Sequence, residues 1–154
     1  MKPHITPAQA RKLGIVPKRK RGVKVAKVLQ GEPTGMVMLE LPWPPGSNNA
    51  YPTVGNRRVL SKEGKDYKRA VGLEVIRKNR GHVVGRIDVR IWCYPPDDRK
   101  FDLDGKLKIV LDSLTEAGVW GDDSQIDSLA IYRITSAVLP KNCIRLLITG
   151  DDPK

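Results

Sequence analysis

Aspartates dominate the part of this 154-residue chain that could do chemistry. Asp97 and Asp98 precede the run Phe101-Asp102-Leu103-Asp104, and a second pair, Asp122-Asp123, follows about twenty residues later. In an extended segment Asp102 and Asp104 point to the same side, and at a helix entry Asp102 would sit near the positive end of the helix dipole. Either way two carboxylates converge. Between the two blocks, Leu103, Leu107, Val110, Leu111 and Leu114 recur at helical spacing. A helix of about 13 residues is ~20 Å long, and residues 117–123 span at most ~23 Å when extended. Asp123 can therefore just return to the Asp102/Asp104 end. Three clustered carboxylates repel one another and call for a cation, and hard oxygen ligands point to Mg²⁺, with Mn²⁺ as a possible substitute. A second reading stays open on spacing alone: helix caps and solvated turn residues, with Asp104 and Lys108 as an i,i+4 surface ion pair.

Other chemistries fit poorly. Aligned as a calcium loop, the Asp102-Leu103-Asp104-Gly105 run would need ligands at Lys100 and Leu111. His4 and His82 have no Cys or second His at ligand spacing, no glycine-rich phosphate loop is present, and no Ser sits in a G-x-S-x-G context. Cys93 and Cys143 cannot make a disulfide scaffold or a four-thiolate zinc site and read as buried thiols in a reducing compartment.

The elements that must position these acids follow from patterning. Met36 to Leu41 alternates as a strand and enters a proline-rich stretch, residues 42–49, that reads as neither helix nor central strand. Arg57 to Leu60 reads as a short strand. Ser61 can cap a helix to about Lys78 with apolar positions Tyr67, Ala70, Val71, Leu73, Val75 and Ile76. Arg86 to Tyr94 alternates, Ile87, Val89, Ile91 and Cys93 opposing Arg86, Asp88, Arg90 and Trp92. The helix from about Leu103 to Thr115 stops at Gly118, and two strands remain near 125–138 and 142–149. The fold expected is α/β (α+β): a single domain over residues 36–150, with a mixed β-sheet and two main helices packed on it. A basic N-terminal arm, residues 1–35, precedes it.

Charge is uneven. Residues 1–96 hold 20 Lys and Arg against 6 Asp and Glu, residues 97–154 hold 8 against 11, and the chain nets +11. The basic part suits a polyanion. The arm, with Lys18, Arg19, Lys20 and Arg21 after a capping box at Thr6 and a short helix to Leu13, either follows a nucleic-acid backbone or is a solvated tail. Arg57, Arg58 and Lys62 are further candidate DNA contacts. No apolar run approaches the ~20 residues of a membrane span, and no secretory signal is present.

The runs 102–108 and 112–125 resemble the RusA family of Holliday junction resolvases, which shows D-L-D-N-x-x-K followed by D-A-L-T-x-A-G-x-x-x-D-D-x-Q. The early Leu41-Pro42-Trp43-Pro44-Pro45-Gly46-Ser47-Asn48 is similar to that family's proline-rich loop, and the likeness extends over about residues 36–149. Gly105 stands where the family usually has Asn. The resemblance implies a homodimeric, Mg²⁺-dependent DNA endonuclease acting in recombination and repair. Such an enzyme cuts four-way junctions by paired nicks in the cytoplasm of a bacterial or phage-infected cell. Carried over by motif, Asp102, Asp104 and Asp123 are the metal-binding catalytic acids, Lys108 the functional lysine, and Asp122 a neighbour of undefined role. The alternative is a noncatalytic nucleic-acid-binding protein on the same fold. For a partner surface, Trp92 faces outward in the strand assignment and Val119-Trp120 sits just before the acidic pair, although both tryptophans could instead cover the chain's own core.

Overall fold

The computed structural model describes residues 35–78 and 82–150. Four strands form one sheet: β1 (Met36–Pro42), β4 (Ile87–Tyr94), β5 (Ile126–Arg133) and β6 (Cys143–Gly150), in the order β1-β6-β4-β5. β6 is antiparallel to both β1 and β4, whereas β4 and β5 are parallel. A parallel pair needs a crossover, and here it runs through the helix that carries Asp104. Two short strands, β2 (Thr53–Val54) and β3 (Arg57–Arg58), make a separate hairpin.

Among the described residues, three helices accompany the sheet: α1 (Ser47–Ala50), α2 (Lys62–Arg77) and α3 (Asp104–Ala117). Period-two alternation sends Val37, Leu39, Leu41, Ile87, Val89, Ile91, Cys93, Ile144, Leu146 and Ile148 to one face, where all are buried. Val71 and Val75 of α2 and Ile109, Val110 and Leu114 of α3 complete the same core. Ser61 caps α2, its hydroxyl accepting from the Gly64 N–H at 3.0 Å. Gly118, at φ 78°, ends α3 in the left-handed conformation that a side chain would resist.

Two expectations need correction, and one open choice is decided. The proline-rich stretch does contain a helical turn: the prolines at 42, 44 and 45 lie before it, and the N–H groups of Asn49 and Ala50 both reach the Gly46 carbonyl. Leu73 and Ile76 are 60% and 63% exposed, on the side of α2 away from the core. Of the two readings left open for Trp120, the core reading holds: Trp120 and Val119 are buried in the chain's own core. Cys93 and Cys143 are free and buried, as expected. The short helix at 6–13 and Lys18 to Arg21 lie outside the described residues.

Candidate active site

Pro95-Pro96 stops β4 and sends the chain through residues 97–103 to the start of α3. That segment is anchored at Phe101. Trp43 meets its ring edge-on at 4.9 Å, Arg133 of β5 lies over it at 4.2 Å, and the Arg133 guanidinium donates to the Phe101 carbonyl at 2.6 Å. The proline-rich loop is tied to the first turn of α3 by two bonds. The Ser47 hydroxyl donates to the Gly105 carbonyl and Lys106 Nζ donates to the Pro44 carbonyl, both at 2.9 Å. Lys106 also sits 5.0 Å from the Trp43 ring, and partial burial moves its amine below the usual lysine range.

Asp102 and Asp104 are exposed and line one cleft of about 680 Å³ with Trp43, Ser47, Asn48 and Asn49. Neither carboxylate has a hydrogen-bond or ion-pair partner among the described residues, in contrast to their neighbours. Asp97 is paired with Arg99 at 2.7 Å, whose hydrogen bonds hold it below the usual carboxylate range, and Asp98 accepts from the Ser136 hydroxyl. A Cβ at Gly105 would meet only the Asp102 Cβ, at 3.7 Å, an ordinary contact. Glycine is therefore not forced here by crowding.

One turn into α3, Lys108 pairs with Asp112 at 3.2 Å rather than with Asp104. The second donor facing the Asp112 carboxylate is the Tyr51 hydroxyl, and Lys108 Nζ lies 5.2 Å from the Tyr51 ring. Burial, then the bond to Asp112, drives the Tyr51 hydroxyl above its ordinary range. Sequence reasoning missed Tyr51, Lys106 and Arg133. The Asp112 spacing was visible, but i,i+4 geometry serves Asp104–Lys108 and Lys108–Asp112 equally.

Asp123 stands at the other end of α3. Its Oδ1 accepts from the Thr115 hydroxyl and from Trp120 Nε1, the latter at 3.0 Å. Asp122 caps the 3₁₀ turn Asp123–Gln125, accepting from the Ser124 N–H at 2.9 Å. Thr115 lies eleven residues beyond Asp104, or ~16 Å along the axis at 1.5 Å per residue. The chain does not run back along α3 as its length allowed. It turns at Gly118 to place Trp120 in the core. Asp102 and Asp104 are thus brought together and Asp123 is not. Among the described residues no group of three or more His, Cys, Asp or Glu side chains could hold a metal ion.

The family described as endodeoxyribonuclease RusA matches residues 42–146. The chain belongs to that family. It is 40% identical over 99 residues to the crossover junction endodeoxyribonuclease RusA of Escherichia coli K12, covering 62% of this chain and 81% of that protein. It is 37% identical over 101 residues to the enzyme of the same name from Enterobacteria phage 82, with the same coverage. Its 37% identity over 120 residues to the RusA of Escherichia coli O139:H28 covers 74% of this chain and 96% of that one.

The matched region holds both acid blocks, Lys108 and the loop that walls the cleft. As a RusA-family endodeoxyribonuclease, the chain presents Arg57 and Arg58 on the exposed β2–β3 hairpin. Lys62, at the start of α2, is exposed and paired with Asp66 at 2.8 Å. Among the described residues, no helix is long and apolar enough to cross a membrane.

Proposed function

We propose that this chain is a structure-selective endodeoxyribonuclease that resolves four-way DNA junctions by paired, Mg²⁺-dependent phosphodiester hydrolysis, acting as a homodimer. The observation that carries this reading is the unpartnered Asp102 and Asp104 opening on one cleft in a RusA-family chain. A binder of polyanions has no use for two unneutralised acids beside its ligand. Their oxygens fit Mg²⁺, which takes one or two protein carboxylates and leaves its other positions to water and phosphate. When bound, such an ion supplies charge neutralisation at the phosphoryl oxygens and lowers the pKa of a coordinated water.

The remaining work falls to the chain's own residues. Lys108, held by Asp112 and Tyr51, offers a point charge to the scissile phosphate. Phe101, clamped by Trp43 and Arg133, fixes the backbone from which Asp102 projects. Asp123 is the third acid of the set, and the ~16 Å of helix between it and Asp104 supports a site assembled from two protomers. One copy would contribute Asp102, Asp104 and Lys108, and the other Asp123. Two such sites related by a twofold axis match two strands related by the junction's own approximate symmetry. The basic arm, residues 1–35, together with Arg57, Arg58 and Lys62, neutralises phosphates without regard to sequence. Deleting the arm lowers the salt dependence of binding, by about 0.9 in log–log slope for each phosphate it had neutralised.

The deciding experiment incubates the full chain and Mg²⁺ with a labelled synthetic four-way junction, beside linear duplex and Y-fork controls. Symmetric paired cuts confined to the junction are expected. Tight binding of the junction with no cutting under Mg²⁺ or Mn²⁺ would establish the noncatalytic alternative.

A further inference from the structure

Two lysines stand in the first turns of α3, and their ammonium groups go to different places. Lys108 pairs with Asp112. Lys106 lies about 200° around the helix from Asp104 at 3.6 residues per turn, so the two side chains do not face each other. Lys106 reaches the proline-rich loop instead, donating to the Pro44 carbonyl at 2.9 Å and lying 5.0 Å from the Trp43 ring. Pro44 and Pro45 are buried. They have no N–H with which to join a backbone ladder, and a buried carbonyl requires a donor. Lys106 supplies it from another element.

The loop stands between two hollows. On one side is the cleft of about 680 Å³ that holds Asp102 and Asp104. On the other is a cavity of about 420 Å³ against α2, lined by Pro44, Pro45, Glu63 and Tyr67. Trp43, Gly46, Asn49 and Lys106 border both. The Tyr67 hydroxyl is buried with no hydrogen-bond partner among the described residues, so the packing behind the loop is incomplete. A wall with space behind it lacks the contacts that fix a close-packed segment, and its ties set its place. Three side-chain ties act here: the Ser47 hydroxyl on the Gly105 carbonyl, Trp43 against Phe101, and Lys106 on Pro44. Of the three, Lys106 alone brings a charge and reaches the middle of the proline run. We propose that Lys106 is a positioning residue for cleavage. Its ammonium latches the proline-rich loop to α3 and thereby sets how closely a phosphate approaches Asp102 and Asp104. The inference rests on the nuclease reading above and adds a residue to it. A displacement of about 1 Å in such a wall can cost ~100-fold in rate.

The test compares the full chain with Lys106→Met, which keeps the aliphatic stem but loses the donors and the charge, and with Lys106→Arg, which keeps both. Well below the melting temperature and at saturating junction and Mg²⁺, Lys106→Met is expected to cut about thirtyfold more slowly, within the loss that a displacement of about 1 Å allows. Lys106→Arg is expected to recover most of the rate. Junction affinity and the Mg²⁺ concentration at half-maximal rate should be unchanged. Without DNA or metal, acrylamide should quench more of the tryptophan fluorescence in Lys106→Met than in wild type, because Trp43 is released while Trp120 stays buried. If Lys106→Met fails to fold, Lys106→Gln carries the same test with a polar head in that place. Wild-type cutting and quenching by the uncharged variant overturn the latch and leave the nuclease standing. Weaker junction binding, with a salt slope lower by about 0.9 and unchanged quenching, overturns it in favour of a phosphate contact. A lower Mg²⁺ requirement with unchanged quenching overturns it in favour of a charge acting on the acids. A wild type that cuts no junction overturns the nuclease reading and with it the role in cleavage, and the quenching difference separates that result from failure of the latch itself.

Discussion

Helix α3 carries carboxylates at both ends, and the two ends treat them differently. At its start, Asp102 and Asp104 have no donor among the described residues, and their surroundings hold the backbone rather than the charge: Phe101 is clamped, Gly105 is tethered through its carbonyl, and Lys106 is turned to Pro44. At its end, Asp123 accepts from Thr115 and Trp120, and Asp122 caps a turn. The dipole explains why the second end needs donors. The C-terminus of a helix carries roughly half a negative charge, so an acid beside it requires compensation, whereas acids beside the N-terminus are already favoured. An acid satisfied by its own chain is positioned. An acid left unsatisfied is available to a cation.

The largest effect should come from the unsatisfied end. Asp102→Asn or Asp104→Asn keeps the side-chain shape and removes one ligand charge. Single-turnover cleavage of a four-way junction is expected to fall about a thousandfold, the several kcal/mol that a bound metal contributes to a phosphoryl transition state. Junction affinity should hold or tighten, because a charge facing phosphate is gone. Near-normal cutting by either variant would remove that residue from the catalytic set.

A second experiment asks whether the two ends serve one site or two. Asp102→Asn chains and Asp123→Asn chains are each expected to be inactive, and mixing them should restore nicking. With random reassociation about half the dimers are mixed, each with one intact site drawn from both copies. The recovered product should be mostly single nicks rather than resolved junctions. If mixing restores nothing while mass measurements show exchange, each site is built within one protomer and the chain must rearrange to bring Asp123 to Asp104.

Much of this was legible before any coordinates. The alternation in 36–41 and 86–94, the cap at Ser61 and the stop at Gly118 all register in local pattern, and local pattern is what strands and helix ends obey. Both acid blocks stood out in the sequence itself, and the family resemblance gave them a role. What spacing could not give was the path between them. Residues 117–123 are long enough to return along α3, and only the burial of Trp120 decides that they do not. Likewise the partner of Lys108 depends on Tyr51, 57 residues away in sequence, which fixes Asp112 from outside the helix. Contacts between distant segments leave no periodic trace.

That Tyr51 contact gives a prediction of intermediate size at the start of α3. Lys108→Ala is expected to lower cleavage about a hundredfold and Tyr51→Phe about tenfold, within the range for misplaced charge-stabilising groups. If Tyr51 and Asp112 act through the lysine, Tyr51→Phe adds almost nothing in the Lys108→Ala background, since residues in one network are not additive. Independent, multiplying losses would mean that Tyr51 merely holds the loop. A melting-temperature series on the same variants separates that outcome, because a structural loss appears there whether or not Lys108 is present.

The smallest expected effect lies at the satisfied end. Thr115→Val removes the hydroxyl that donates to Asp123 and accepts from Trp120 Nε1 at 2.6 Å, while keeping the side-chain volume. Trp120 retains Asp123 as an acceptor at 3.0 Å, so no buried N–H is orphaned. The loss should be that of one charge-assisted bond in a partly exposed place, about 1 kcal/mol, or a melting temperature lower by about 4 °C for a domain of this size. Cleavage should fall by less than tenfold, because Asp123 keeps its charge and one of its two donors. The comparison between the ends predicts this asymmetry: a change that costs stability and little activity at one end, against changes that cost activity and no stability at the other. A Thr115→Val chain that melts normally yet cuts as poorly as Asp123→Asn would invert it, showing that the hydroxyl orients Asp123 for the reaction instead of holding the helix end together.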